Sequence, residues 1–286
     1  GRNIGDRSRI NLSRSDYRFS RTADFENPGN FGQRVSFAGD VDGDDRTDLL
    51  LSARYADEHI NNGGAVHLVL AADLELGDGE HTMDMTDASY TFKGETNGGI
   101  FGHYIATAGD IDDDGLDDIL VWEERPSKRV HVFLGASLGP DTEILASESD
   151  YVITGTQEFG RSLASAGDID GDGRDDIIIG NYSDDSAGGD AGAAYVFLGS
   201  SFGAVRERTE DEADYKLTGA YENDNAGYAV AGAGDVDGDG LNDVIIGAPN
   251  NPDGDLYAGC AYIVLGNRFA DTRTLDLLVD ADYQLM

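Results

Sequence analysis

Cysteine is nearly absent: Cys260 is the single one in 286 residues, so the chain can build neither a disulfide framework nor a thiolate metal cluster. Secretion is left open by that count. Lysine is scarce as well, with Lys93, Lys128 and Lys216 the only three among 20 bases, against 56 acids and a net charge of −36. A surface of that sign repels nucleic-acid phosphates and anionic membranes, and favours cations or partners carrying basic groups. It suits a protein of salty water, and equally any soluble acidic protein. No apolar run approaches the roughly 20 residues that span a bilayer, and no stretch resembles a signal peptide. Nucleic acid and membrane insertion are therefore not expected. The first residue is Gly1 rather than Met, which is expected of a processed or excised chain. No segment sustains a 3.6-residue period, and G-x-S-x-G, H-E-x-x-H and phosphate-cradling loops are all missing. No catalytic residue is expected. His59, His67, His81, His103 and His131 recur in no loop motif; His67 and His131 share a strand position with Tyr195 and Tyr262 and read as packing residues.

What is present is repetition. AGDVDGDDRTDLLLS at 38–52 returns as AGDIDDDGLDDILVW at 108–122, AGDIDGDGRDDIIIG at 166–180 and AGDVDGDGLNDVIIG at 233–247. The opening aspartates Asp40, Asp110, Asp168 and Asp235 are 70, 58 and 67 residues apart. An aromatic–glycine step precedes the loop at Phe31-Gly32, Phe101-Gly102 and Phe159-Gly160, with the variant Ala226-Gly227. After the loop come a β-branched run, a turn, a second run (AVHLVL, VHVFLG, AAYVFLG, CAYIVLG), a polar connection and a tyrosine run (SYTFKG, DYVITG, DYKLTG). These short runs, rich in Val, Ile, Tyr and Phe and separated by turn residues, are strand signatures. Their near-continuous apolar character fits sheets covered on both faces, and 40% hydrophobic residues supply the core. The fold class is all-β: a β-propeller of four-stranded antiparallel blades, with four repeats visible, rather than a sandwich. The repeats run approximately 20–94, 95–155, 156–219 and 220–286 as one domain, with 1–19 a linker and outer strand.

Each loop carries carboxylates at positions 1, 3, 5 and 9: Asp40, Asp42, Asp44, Asp48; Asp110, Asp112, Asp114, Asp118; Asp168, Asp170, Asp172, Asp176; Asp235, Asp237, Asp239, Asp243. Alternating acids in a tight turn converge on one point, and a hard cation such as Ca²⁺ takes six to eight oxygens. Position 7 (Arg46, Leu116, Arg174, Leu241) can add its backbone carbonyl. The position-9 aspartate opens the next strand, so an ion there ties loop to sheet. Gly115, Gly173 and Gly240 at position 6 supply a left-handed turn, for which Asp45 substitutes in the first copy. Asp113 is an extra acid at position 4 of the second copy, either facing solvent or strengthening the site. With no soft ligand present, zinc and copper are disfavoured, and Mg²⁺ demands stricter geometry. The opening D-x-D-x-D-G is that of an EF-hand, but there is no Glu at position 12 and the flanks are strands.

These motifs resemble the FG-GAP repeat of integrin α-subunits. Gly247-Ala248-Pro249 matches the second half of the signature; Ser52-Ala53-Arg54, Trp122-Glu123-Glu124 and Gly180-Asn181-Tyr182 stand in its place elsewhere. The resemblance covers nearly the whole chain. It implies about four structural Ca²⁺ ions on one rim, ligands met at the other rim or between blades, and an extracellular or cell-surface adhesion module for a protein or glycan. The alternatives are a structural spacer and the accessory propeller of a polysaccharide-active enzyme. Family propellers usually have seven blades. The tyrosine strand recurs at Asp16-Tyr17 and Asp282-Tyr283, and residues 1–17 align loosely with 266–283, so the chain starts and stops at one phase. Either it is a slice completed by further blades, or a spare terminal strand closes a smaller ring or pairs with another chain. Trp122 is expected in the core, with an exposed ligand platform as the alternative, and Cys260 at a small buried position.

Overall fold

The computed structural model describes residues 17–20, 29–74, 81–252, 258–270 and 273–285. Asp16, the rest of the opening segment and residues 253–257 of the loop after Asn250 lie outside them.

Strand β1 (Tyr17–Ser20) precedes the first repeat, which holds β2 (Val35–Gly39), β3 (Asp48–Ala53), β4 (Ala65–Val69), β5 (His81–Asp84) and β6 (Tyr90–Lys93). The second repeat holds β7 (Ile105–Gly109), β8 (Asp118–Glu123), β9 (Lys128–Phe133), β10 (Glu143–Leu145) and β11 (Tyr151–Gly155). The third holds β12 (Ser162–Gly167), β13 (Asp176–Asn181), β14 (Ala193–Phe197), β15 (Glu207–Thr209) and β16 (Tyr215–Thr218). The fourth holds β17 (Ala229–Gly234), β18 (Asp243–Ala248), β19 (Cys260–Val264), β20 (Thr274–Asp276) and β21 (Tyr283–Leu285). In each repeat the first three strands and the tyrosine strand form an antiparallel sheet, as in β2-β3-β4-β6. The inner strands β2, β7, β12 and β17 lie against one another in sequence order.

The four-stranded antiparallel blade is formed as expected, with one addition. The polar connection before each tyrosine strand forms a further strand, and it joins the preceding blade: β10 pairs in parallel with β6, β15 with β11 and β20 with β16. Three blades are therefore five-stranded. An outer strand left alone exposes a row of unpaired amides and carbonyls; here the next repeat covers it, with Thr91 N donating to Thr142 O at 2.7 Å and Val152 N to Arg206 O at 2.9 Å. The tyrosines take part: Tyr90 Oη donates to Gly139 O and Tyr215 Oη to Phe269 O, each across to the next repeat. The preceding acid caps the turn after the third strand, as Asp150 accepts from Leu134 N and Asp214 from Leu198 N.

Strands sandwiched between neighbours send alternate side chains to opposite seams. Ile119 and Val121 pack towards Leu50, Val66 and Phe92 of the first blade, while Leu120 and Trp122 pack towards Phe159, Ile177 and Tyr195 of the third. Each such buried side chain contributes about 1.5–3 kcal/mol. Trp122 is fully buried, as expected of core, and its indole N–H donates to Phe159 O at 2.8 Å. It lies on Gly160 (φ +83°), where a Cβ would overlap the indole. Cys260 is buried too. His67 and His131 are buried at 2% and 3% exposure, but they are more than packing: Glu58 lies 3.4 Å from His67 Nε2, and Glu123 lies 3.3 Å from His131 Nε2. Their counterparts Tyr195 and Tyr262 bond Asp184 and Asn251 at the same place.

The first and last strands do not share a sheet among the described residues. β1 pairs in parallel with β5 and β21 pairs with β19, so among the described residues no terminal strand closes a smaller ring. The β1–β5 pair repeats the β6–β10 arrangement. Beyond the seams, Val35 and Phe37 are 69% and 68% exposed on one outer face, and Tyr283 and Leu285 are each 52% exposed on the other.

Candidate metal centres

Each loop begins at a bulge. The register shifts where Gly39, Gly109, Gly167 and Gly234 take positive φ, which turns the chain out of the inner strand. Position 2 then anchors the loop: Val41, Ile111 and Ile169 are buried, while Val236 of the last loop is 50% exposed. The left-handed residues fall where expected, at Gly115, Gly173 and Gly240, with Asp45 at φ 63° in their place. Position 4 is left-handed as well, and Asp113 takes φ 61° there with an exposed side chain.

The position-1 carboxylate organises the turn. Asp40 accepts from the amides of Gly43, Asp44 and Asp45, and Asp168 and Asp235 repeat the pattern. Position 5 accepts from the position-7 amide in all four loops, for example Asp114 from Leu116 N at 2.9 Å. Position 9 is the first residue of its strand and is fully buried at Asp48, Asp118, Asp176 and Asp243. Both of its oxygens accept backbone amides: Asp176 takes Ile169 N at 2.9 Å and Gly199 N at 2.8 Å. This residue joins its loop to the end of the third strand even without an ion.

Oxygens from positions 1, 3 and 9 lie within 4.8 Å of one another in three loops (Asp40, Asp42, Asp48; Asp110, Asp112, Asp118; Asp168, Asp170, Asp176). In the fourth the trio is Asp235, Asp237 and Asp239. Asp44, Asp114 and Asp172 stand outside the first three trios, Asp243 outside the fourth, and Arg46 holds Asp44 by a side-chain contact. Two oxygens at roughly 2.4 Å from a common centre can be no more than about 5 Å apart, so the trios fit a hard divalent cation. Asp112 Oδ1 is buried with no hydrogen-bond partner, which leaves an acceptor aimed at such an ion.

Burial pushes the Asp118 carboxyl up to about 8 and that of Asp176 to about 7. Asp42, Asp112 and Asp170 are raised by burial and then by the next aspartate of their own loops. A carboxyl that ionises near pH 3.9 (about) in the unfolded chain and higher in the fold makes the metal-free fold lose stability as pH rises between those values. The chelated, dialysed protein is expected to melt at lower temperature near pH 8 than near pH 5, and the calcium-loaded protein is not. A metal-free melting temperature that rises across this window contradicts the assignment.

One set of residues escaped the sequence reading. Position 8 reaches into the loop of the preceding blade: Asp117 Oδ2 accepts from Asp40 N at 2.7 Å, and Asp175 Oδ2 from Asp110 N at 3.2 Å. Backbone bonds accompany them, from Asp117 N to Asp40 O, Asp175 N to Asp110 O and Asn242 N to Asp168 O, each 2.9 Å. The only signal in the sequence was the acid or amide beside the position-9 aspartate of the last three loops (Asp117, Asp175, Asn242), which alone reads as a solvated polar residue; the first loop has Thr47 there.

The FG-GAP repeat family model matches residues 31–69, 159–197 and 226–264. The second repeat is not matched; there the β8–β9 connection is only residues 124–127, where the other blades have 54–64, 182–192 and 249–259. Similar curated proteins include Integrin alpha-5 of Xenopus laevis, 32% identical over 169 residues (56% of this chain, 16% of that protein). Integrin alpha pat-2 of Caenorhabditis briggsae is 32% identical over 233 residues (73% and 17%). Integrin alpha-IIb of Homo sapiens is 34% identical over 174 residues (56% and 16%). The alignments thus span about a sixth of each relative. No described helix is long and apolar enough to cross a membrane. With its repeated inner bulge, aspartate loop and sheet order, the chain is an FG-GAP repeat β-propeller of the integrin α type.

Proposed function

We propose that the chain is a calcium-stabilised, non-catalytic adhesion module of the extracellular or cell-surface space that recognises a protein ligand. The observation that carries this is that every aspartate loop gathers a carboxylate trio, from positions 1, 3 and 9 in three loops and 1, 3 and 5 in the fourth. Four ions are expected, each held by positions 1, 3, 5 and 9 and by the position-7 carbonyls of Arg46, Leu116, Arg174 and Leu241. They stabilise one rim and leave the loops of the opposite rim to vary on a rigid frame. The integrin relatives support the adhesion reading and a non-enzyme, and they add nothing in favour of a glycan. The exposed outer faces at Val35 and Phe37 and at Tyr283 and Leu285 are to be covered by further blades or by another chain.

Fluorescent tetramers of the calcium-loaded chain are expected to label fixed cells. Labelling should disappear when the cells are first treated with trypsin and persist after glycosidase treatment. Labelling that survives trypsin and is lost to glycosidases points to a glycan instead, and no labelling of any cell type favours the spacer.

A further inference from the structure

On the rim away from the metal loops, cations gather in a chain of net charge −36. Arg34 stands just ahead of β2 and Arg54 just after β3, and both lie over the seam between the first two blades. Arg34 Nε donates to the His103 carbonyl at 3.2 Å, and its guanidinium sits 4.6 Å over the Tyr104 ring. Arg54 Nη1 meets His103 Nε2. Neither arginine is ion-paired with a carboxylate among the described residues. Two like charges beside one imidazole, in a protein with 56 acids to choose from, carry an electrostatic cost that an anion would remove.

The imidazole points the same way. Burial, and then Arg54, Arg34, Arg161 and Lys128, lower His103 to about 4, so it is neutral at physiological pH. Accepting from Arg54 at Nε2 puts its proton on Nδ1, and Nδ1 is buried with no hydrogen-bond partner, as is Arg54 Nε. The other seams show what compensation looks like. Where His103 stands here, the next seam has Arg161 with Glu158 beside it, and the third has Tyr228 packed on Tyr182 at 5.4 Å.

We propose that the Arg34–Arg54–His103 seam is a carboxylate-binding site whose occupant is an aspartate or glutamate side chain of a protein partner. A guanidinium fork matches a carboxylate in two parallel hydrogen bonds. A sugar ring is disfavoured because Tyr104 offers no open platform: Arg34 covers it, and His103 and Trp122 pack against it at 4.6 and 5.4 Å. The inference rests on the protein-binding reading above and adds the chemistry of the contact.

The test is calorimetric titration of the calcium-loaded chain with a glutamate-rich hexapeptide, its glutamine counterpart and a heparin oligosaccharide, at about 0.15 M salt, where remote surface acids are screened beyond roughly 8 Å. The glutamate peptide is expected to bind and the glutamine peptide not. Arg34→Gln and Arg54→Gln should each weaken binding about tenfold or more, Arg54→Lys less, and the exposed control Arg125→Gln not at all. Both glutamine variants should keep or raise the melting temperature, since each relieves a repulsion. Absence of peptide binding, binding indifferent to both arginines, or binding of heparin alone overturns the proposal. If Arg54→Gln melts much lower, that arginine is structural and Arg34→Gln with Arg54→Lys decides. Cell labelling that is unchanged in both glutamine variants sinks this site and leaves the adhesion module standing; arginine-dependent peptide binding without cell labelling does the reverse.

Discussion

Stripping calcium is expected to lower the melting temperature by on the order of 20 °C or more. Four trios of carboxylates hold their charges together on one rim, and the unfolded chain has no such site. An ion bound only by the fold stabilises it by about 2.7 kcal/mol at a free concentration one hundred times Kd. Four such sites, at roughly 2–4 °C per kcal/mol for a domain of a couple of hundred residues, give that shift. Scanning calorimetry of chelator-dialysed and calcium-loaded protein measures it, with titration counting the ions. Identical melting in the two samples would remove calcium from the account of this fold.

The second large effect separates two neighbours in the chain. Asp176→Ala removes a buried acceptor of two backbone amides, Ile169 N and Gly199 N, and a member of the third trio. At about 1–3 kcal/mol for each orphaned buried donor, a loss of about 2–6 kcal/mol is expected with calcium present, and the third site should empty first. Asp175→Ala acts one blade back. Its carboxylate holds the Asp110 amide at 3.2 Å, so the second site should weaken while the third keeps its ion. Calorimetric ion counts on the two variants check this. Equal loss at both sites in both variants would mean that the loops act as a single unit.

How much of this was legible in the sequence follows from how local each feature is. The aspartate loops are short-range objects: spacing 1, 3, 5, 9 and a left-handed residue at position 6 are all contained in one turn, so the trios could be read before any fold was known. The inner, second, third and tyrosine strands were legible for the same reason, as short apolar runs between turn residues. β10, β15 and β20 were not. Each has only three residues, too few to show a pattern (Glu143-Ile144-Leu145, Glu207-Arg208-Thr209 and Thr274-Leu275-Asp276), and each finds its partner in the preceding blade rather than nearby in the chain. Asp117 and Asp175 were missed likewise, since only the stacking of successive blades brings position 8 of one loop against position 1 of another. His131 and Glu123 are close in sequence, yet the acid comes from the end of β8 here and from the following loop (Glu58, Asp184) elsewhere, so no repeat alignment pairs them.

The borrowed parallel strand also sets a clock. β6 receives β10, and β11 receives β15, only after the following repeat has been synthesised. β10 ends at Leu145, some distance past Lys93 at the end of β6. At a ribosomal pace of about 5–20 residues per second, that leaves each newly made sheet with a raw outer edge for several seconds. During that interval the tyrosine strand can accept any passing strand as a partner. Nascent chains stalled inside a connection, before the short parallel strand has emerged, are therefore the species of this protein most open to mispairing.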